Sequence, residues 1–102
     1  MSHYSVVQLT MTDPSWLAEY VPAVTAMVHK HGGKYLARTP NLEKIEGDGP
    51  APDVVVLLEF PSKEATLAFY NDPEYQPFLM QRMAGSTGEL ISFPGEDTAA
   101  GT

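Results

Sequence analysis

The chain has 102 residues, 43% of them hydrophobic, no cysteine and a formal net charge of -7. That length fits one compact domain, and the missing thiols exclude disulfides and thiolate metal sites and fit a reducing cytoplasm. The acidic balance repels phosphate backbones and so argues against nucleic acid as a partner.

No stretch approaches the ~18 to 20 apolar residues of a membrane span, and "MSHYSVVQL" has no basic region ahead of an apolar core. A cytoplasmic protein without membrane contact is expected. In chain order, Tyr4 to Met11 is rich in β-branched and aromatic types and stops at "TDP", which predicts a strand and a turn. Asp13 and Pro14 then read as N-cap and first helical residue. Trp16, Leu17, Tyr20, Val21, Val24, Met27, Val28 and His31 recur at three- and four-residue spacing, the pattern of an amphipathic helix. Pro22 removes one backbone hydrogen bond from it and predicts a kink. Gly32-Gly33 ends it, one glycine closing the helix in the left-handed conformation and the other starting the next strand.

"KYLAR" is that strand, and "NLEKIEGDGPAPD" predicts a weak further strand segment and then a turn-rich loop. "VVVLLEF", Val54 to Phe60, is the most apolar strand and is expected to be central and covered on both faces. Pro61-Ser62 opens a helix reaching Asn71, "DPEYQP" breaks it, and Phe78 to Ala84 forms a shorter one. "GELISF" is the last strand. One domain over residues 1–94 results, with a disordered tail over 95–102.

The order β-α-β-β-α-β predicts an α+β fold: a four-stranded antiparallel sheet with two main helices on one face. The other face would stay apolar and bare, which a second copy of the chain would cover. The segments "HGGKYLAR", "IEGDGP" and "VVVLLEFPSKEATLAFYNDPEYQP" with the following Arg82 resemble the small bacterial proteins grouped as domain of unknown function 1330 (DUF1330). The resemblance spans Tyr4 to Phe93 and implies a ferredoxin-like protomer that pairs sheet to sheet as a dimeric α/β barrel. It implies no reaction, although wider relatives include cofactor-free monooxygenases, lactone isomerases and haem-degrading enzymes.

Three of the six Lys and Arg residues and two of the three histidines fall within His29 to Arg38. His29, Lys30 and His31 occupy the last turn of the long helix, where cations favour the dipole by roughly 0.3 to 1 kcal/mol each. Residues two apart on a helix point to different sides, so "HKH" does not chelate a metal. On the following strand, strict alternation puts Lys34, Leu36 and Arg38 on one face and Tyr35 and Ala37 on the other. Glu59 breaks the apolar run of the central strand and needs a partner, and Arg38 is the expected one. Such a pair is either self-satisfying architecture or a holder that aims the spare donors of Arg38 at a ligand oxygen. Gln8, on the face of Tyr4 and Val6, together with Tyr70, Tyr75 and Arg82, would complete the same wall. Each also has a plainer reading: Tyr70 and Tyr75 as core or lid residues, and Arg82 as a helix-surface cation paired with Glu74 or a partner subunit.

The candidate substrate-binding residues are therefore Arg38, Glu59, Gln8, Tyr4, Tyr70 and Arg82, with no metal and no cofactor expected. No glycine-rich phosphate loop, nucleophile elbow or HExxH pair is present. Two functions stay open. One is a homodimer that binds or converts a small apolar molecule bearing an anionic or carbonyl oxygen, as a cofactor-independent isomerase, cyclase or oxygenase would. The other is a non-catalytic binding or scaffolding dimer. An RNA-recognition module shares the element order, but "VVVLLEF" carries no base-stacking aromatic between flanking charges. A cavity of about 300 Å³ or more beside Arg38 would favour a ligand, and a filled interior would favour scaffolding.

Overall fold

A computed structural model describes residues 1–101. Strand β1 spans His3–Met11, and its residues alternate between buried and more exposed positions as period two requires. Asp13 accepts the Ser15 amide at 3.0 Å and caps a 3-10 turn, Pro14–Trp16, that runs into helix α1, Leu17–Lys30. Pro22 sits inside α1 on its exposed side, and the helix is continuous through it. Gly32, at φ 79°, closes α1, while the Gly33 amide reaches back to the Val28 carbonyl at 2.9 Å. Gly33 admits no side chain, because a Cβ there would lie 2.6 Å from the Phe60 ring.

Strand β2 is Lys34–Thr39 and β3 is Val54–Phe60. Between them residues 40–53 form no strand, contrary to the weak segment expected there. Lys44 donates to the Asp48 and Gly49 carbonyls at 3.2 and 2.7 Å, folding the segment on itself. Helix α2, Lys63–Tyr70, starts where the Ser62 hydroxyl accepts the Ala65 amide at 3.0 Å. Helix α3, Gln76–Gly85, and strand β4, Ser86–Pro94, are the last elements. No helix among the described residues is long and apolar enough to cross a membrane.

The strands are antiparallel in the order β2-β3-β1-β4. Val7, Leu9, Leu58 and Phe60 point from the sheet into the core and meet Trp16, Val24 and Val28 from the α1 side and Phe69, Tyr75 and Leu79 from the α2–α3 side. β3 lies between β1 and β2, but helices cover only one of its faces. The opposite face carries Tyr4, Val6, Val55, Leu57, Ile91 and Phe93, which the register sets side by side. Ile91 is 55% and Phe93 41% exposed there.

Both ends of α1 are tied down. At its start, the Gly85 carbonyl accepts the Thr12 and Asp13 amides at 3.0 Å each and the Trp16 indole N–H at 3.3 Å. At its end, His31 Nε2 lies 2.8 Å and Lys30 Nζ 3.4 Å from Asp72, on the turn between α2 and α3. Lys30 and His31 thus have a defined partner beyond the dipole. The His31 bond, helped by the Glu74 amide and by Lys30, lowers the Asp72 pKa to about 2 against the smaller opposing effect of burial. A depressed carboxylate stabilises the fold above its unfolded value and loses that contribution as pH falls through its folded value. Melting temperatures followed from pH 6 to pH 2 are expected to show Asp72→Asn less stable at pH 6. The difference from the wild type should shrink between about pH 4 and about pH 2.

Candidate functional site

Strand β2 is not regular. Tyr35 pairs with Leu58 and Ala37 with Leu57, so Leu36 is an extra, unpaired residue, a β-bulge. One inserted residue reverses the alternation beyond it. Lys34 stays opposite Glu59 on the open face, whereas Arg38, opposite Val56, turns to the helix side with Tyr35. The expected Arg38–Glu59 pair therefore does not exist. Lys34 Nζ binds Glu59 at 3.2 Å and, with Ser2 and Tyr4 assisting, holds its carboxyl below the usual carboxylate range. Arg38 instead lies flat on the Tyr35 ring, 3.8 Å from its centre, and donates to the Thr25 hydroxyl of α1 at 2.7 Å.

On that side a cavity of about 140 Å³ lies between α1 and the sheet. Its walls are apolar: Val7, Leu9, Val56 and Leu58 from the strands, Trp16, Val24 and Val28 from the first helical segment, and Phe69 from α2. Polar atoms come from Tyr20, Tyr35, Tyr75, Arg38 and Arg82, and no carboxylate or histidine lines it. Two larger clefts adjoin it. One of about 250 Å³ lies under α2 and shares Leu58, Phe69 and Leu90 with the cavity. The other, about 430 Å³, lies at the α3–β4 corner and shares Leu90 and Arg82. At about 140 Å³ the interior is neither filled nor as large as the volume expected of a ligand site from sequence.

Helical spacing explains the polar cluster. Tyr20 stands one turn from Trp16 and one turn from Val24, so it must face the core, and its hydroxyl meets that of Tyr75 at 3.1 Å. Tyr75 is itself 1% exposed, packed on Phe69 with ring centres 4.5 Å apart. Arg82, from α3, is buried beside both hydroxyls, at 7% exposure, and not on the helix surface paired with Glu74. Among the described residues no carboxylate forms an ion pair with Arg82 or Arg38. Burial lowers the tendency of Arg82 to hold its proton, but Tyr75 and Tyr20 outweigh it and the net shift is upward. Burial, then Tyr75, pushes the Tyr20 hydroxyl well above its ordinary value. Burial also raises Tyr35, with Arg38 opposing. All three stay protonated near neutral pH and act as hydrogen-bond groups.

The six candidate residues do not form one wall. Arg38 and Arg82 line the cavity, and Tyr70 stands at its flank, in the two adjoining clefts, with its ring 6.1 Å from that of Tyr75. Tyr4, Gln8 and Glu59 lie on the opposite face of the sheet. Tyr20 and Tyr35 were missed as site residues. The only signal for Tyr20 was a hydroxyl on the apolar stripe of α1. Among the described residues no three His, Asp or Glu side chains converge as a metal site.

Four antiparallel strands in this order, backed on one face by helices, define a ferredoxin-like α+β protein. More narrowly, the chain belongs to the family described as Domain of unknown function (DUF1330), whose model matches residues 2–95. Among curated proteins none matches it. Solved structures share the fold. The RPA0582 protein of unknown function from Rhodopseudomonas palustris is 19% identical, with TM-score 0.77 over 94% of this chain and 84% of that one. SnoaB, a cofactor-independent oxygenase from Streptomyces nogalater, is 17% identical, with TM-score 0.68 over 97% of each chain. A dimeric ferredoxin-like protein of unknown function from Jannaschia sp. is 14% identical, with TM-score 0.63 over 92% of this chain and 99% of that one. At these identities the likeness is one of fold.

Because Arg38 is exposed and Glu59 has its own lysine, Arg38→Met is expected to cost under about 1 kcal/mol in urea melts. Glu59→Gln should cost the same in the wild-type and Arg38→Met backgrounds, since the two side chains lie on opposite faces.

Proposed function

We propose that the protein is a homodimer that holds a small apolar molecule with an anionic or carbonyl oxygen in the cavity between α1 and the sheet, using no metal. The observation that carries this reading is the lining. Two arginines and three tyrosines meet there with no carboxylate, in a chain of net charge -7. Hydrogen-bond donors at the edge of apolar walls stabilise oxygen-centred negative charge better than they do in water. The fold is shared with a protein described as a cofactor-independent oxygenase, which is consistent with turnover of a bound organic molecule without a metal.

A second reading, a scaffolding dimer with a vacant cavity, draws support from the modest volume of about 140 Å³. Titrating single-ring acids, ketones and phenols into the protein separates the two. The binding reading expects the methyl NMR signals of Val24, Val28 and Leu58 to move on addition of at least one class. Spectra unchanged by every class leave the scaffold.

The dimer reading rests on the apolar sheet face, with Ile91 and Phe93 exposed, and on a structural relative described as dimeric. An uncovered apolar face of this kind is unusual on a monomer, and a second copy related by a two-fold axis would cover it. Sedimentation at micromolar concentration is expected to show a dimer, and Ile91→Lys is expected to dissociate it while leaving the far-UV spectrum unchanged. A wild-type monomer would overturn the assignment.

A further inference from the structure

We infer that Arg82 and the Tyr20–Tyr75 hydroxyl pair form a carboxylate anchor, and that the ligand is a monoanionic acid whose apolar body is no larger than a single ring. This deepens the reading above and rests on the cavity taking a ligand at all. Arg82 is 7% exposed, and its charge is met by phenol hydroxyls instead of a carboxylate. A guanidinium taken out of water and left without an opposite charge is costly, and a bound anion would remove that cost. Its planar fork suits the two oxygens of a carboxylate.

The tyrosines supply a further donor. One hydroxyl proton lies between Tyr20 and Tyr75, which are 3.1 Å apart, and the other proton is left to point at a third oxygen. No residue lining the cavity is a base able to ionise a bound acid, because carboxylates and histidines are absent from it. The ligand therefore enters already as an anion. Its size follows from the volume: a cavity of roughly 150 Å³ accommodates benzene, and this one measures about 140 Å³. A second charge would gain little, because the walls are apolar and Arg38 is already engaged with Tyr35 and Thr25. The wider cleft at the α3–β4 corner shares Arg82 with the cavity and has Ser86 and Thr87 in its lining, so it would give a charged group a polar approach.

Calorimetric titration of the wild-type protein with benzoate, benzamide and toluene tests the anchor. Benzoate is expected to bind about ten- to a hundred-fold more tightly than benzamide. Arg82→Met should remove most of that preference, Arg82→Lys should keep part of it, and Arg38→Met should change it less than Arg82→Met does. Since Arg82 is buried and its replacement could prevent folding, Tyr20→Phe, which keeps the ring packing, gives an independent check and should weaken benzoate several-fold while leaving toluene unchanged. Equal affinity for benzoate and benzamide in the wild type would overturn the anchor and leave the cavity reading intact. Failure of all three compounds to bind would overturn the anchor, and the titration with ketones and phenols then decides the cavity reading separately.

Discussion

The packing of one helical stripe on one face of the sheet is the constraint from which the other features follow. Trp16, Tyr20, Val24 and Val28 are spaced by four, so they project from the same side of the first helical segment, and that side lies over β1 and β3. Burying an aliphatic or aromatic side chain of this kind stabilises by roughly 1.5 to 3 kcal/mol, and the stripe together with Leu58, Phe60 and Phe69 forms the core. Hydrogen bonds at the two ends, from Trp16 to the Gly85 carbonyl and from His31 to Asp72, hold the helix against α3 and the α2–α3 turn. Gly85 itself can carry no side chain, because a Cβ would lie 2.5 Å from the Trp16 ring nitrogen. With both ends fixed, the middle of the stripe is left to define the cavity, and the polar residue in that middle is Tyr20.

The positive charges of this acidic chain are divided by the fold into distinct duties. Lys30 pairs with a buried carboxylate at the helix end, which His31 also hydrogen-bonds, and Lys34 pairs with Glu59 on the open face. Lys44 folds the loop between β2 and β3 by binding carbonyls. Arg38 bridges β2 to α1 through Thr25, which in turn donates to the Val21 carbonyl at 2.6 Å. Arg82 differs from these: it is buried, and its neighbours are neutral hydroxyls. Natural cores rarely keep an arginine in that condition without an opposite charge. The helix-facing side of the sheet therefore carries the two arginines and the tyrosine hydroxyls, and the bare side carries apolar rows flanked by the Lys34–Glu59 pair.

Much of the architecture is legible in local pattern. The run Val54 to Phe60, the stop at Gly32-Gly33, the Asp13 and Ser62 caps and the break between α2 and α3 all leave signals within a few residues. Period two, period 3.6 and cap chemistry are short-range properties of the backbone. Element order and the apolar pattern were then enough for the α+β class and for one helix-covered face. The extent of the loop over residues 40–53 was less legible, because "NLEKI" has strand-like alternation but no neighbouring strand to pair with in the folded chain.

What the tertiary structure alone decided is where the chemistry sits. Leu36 is an ordinary strand residue by composition, and nothing near it marks the bulge, since a bulge is a mismatch of register against a partner strand about twenty residues further along. That one residue sends Arg38 to the helix side and gives Glu59 to Lys34. Arg82 carries no local mark of burial either. Its α3 reads as weakly amphipathic, and only the meeting of Tyr20 from α1 with Tyr75 from the start of α3 creates the enclosed polar niche that the arginine fills. The sequence by itself determined the elements, their order and the side of α1 that is buried, because those depend on neighbours along the chain. The pairing of charges and the composition of the cavity depend on residues brought together from distant parts of it, and only the packed fold decides those.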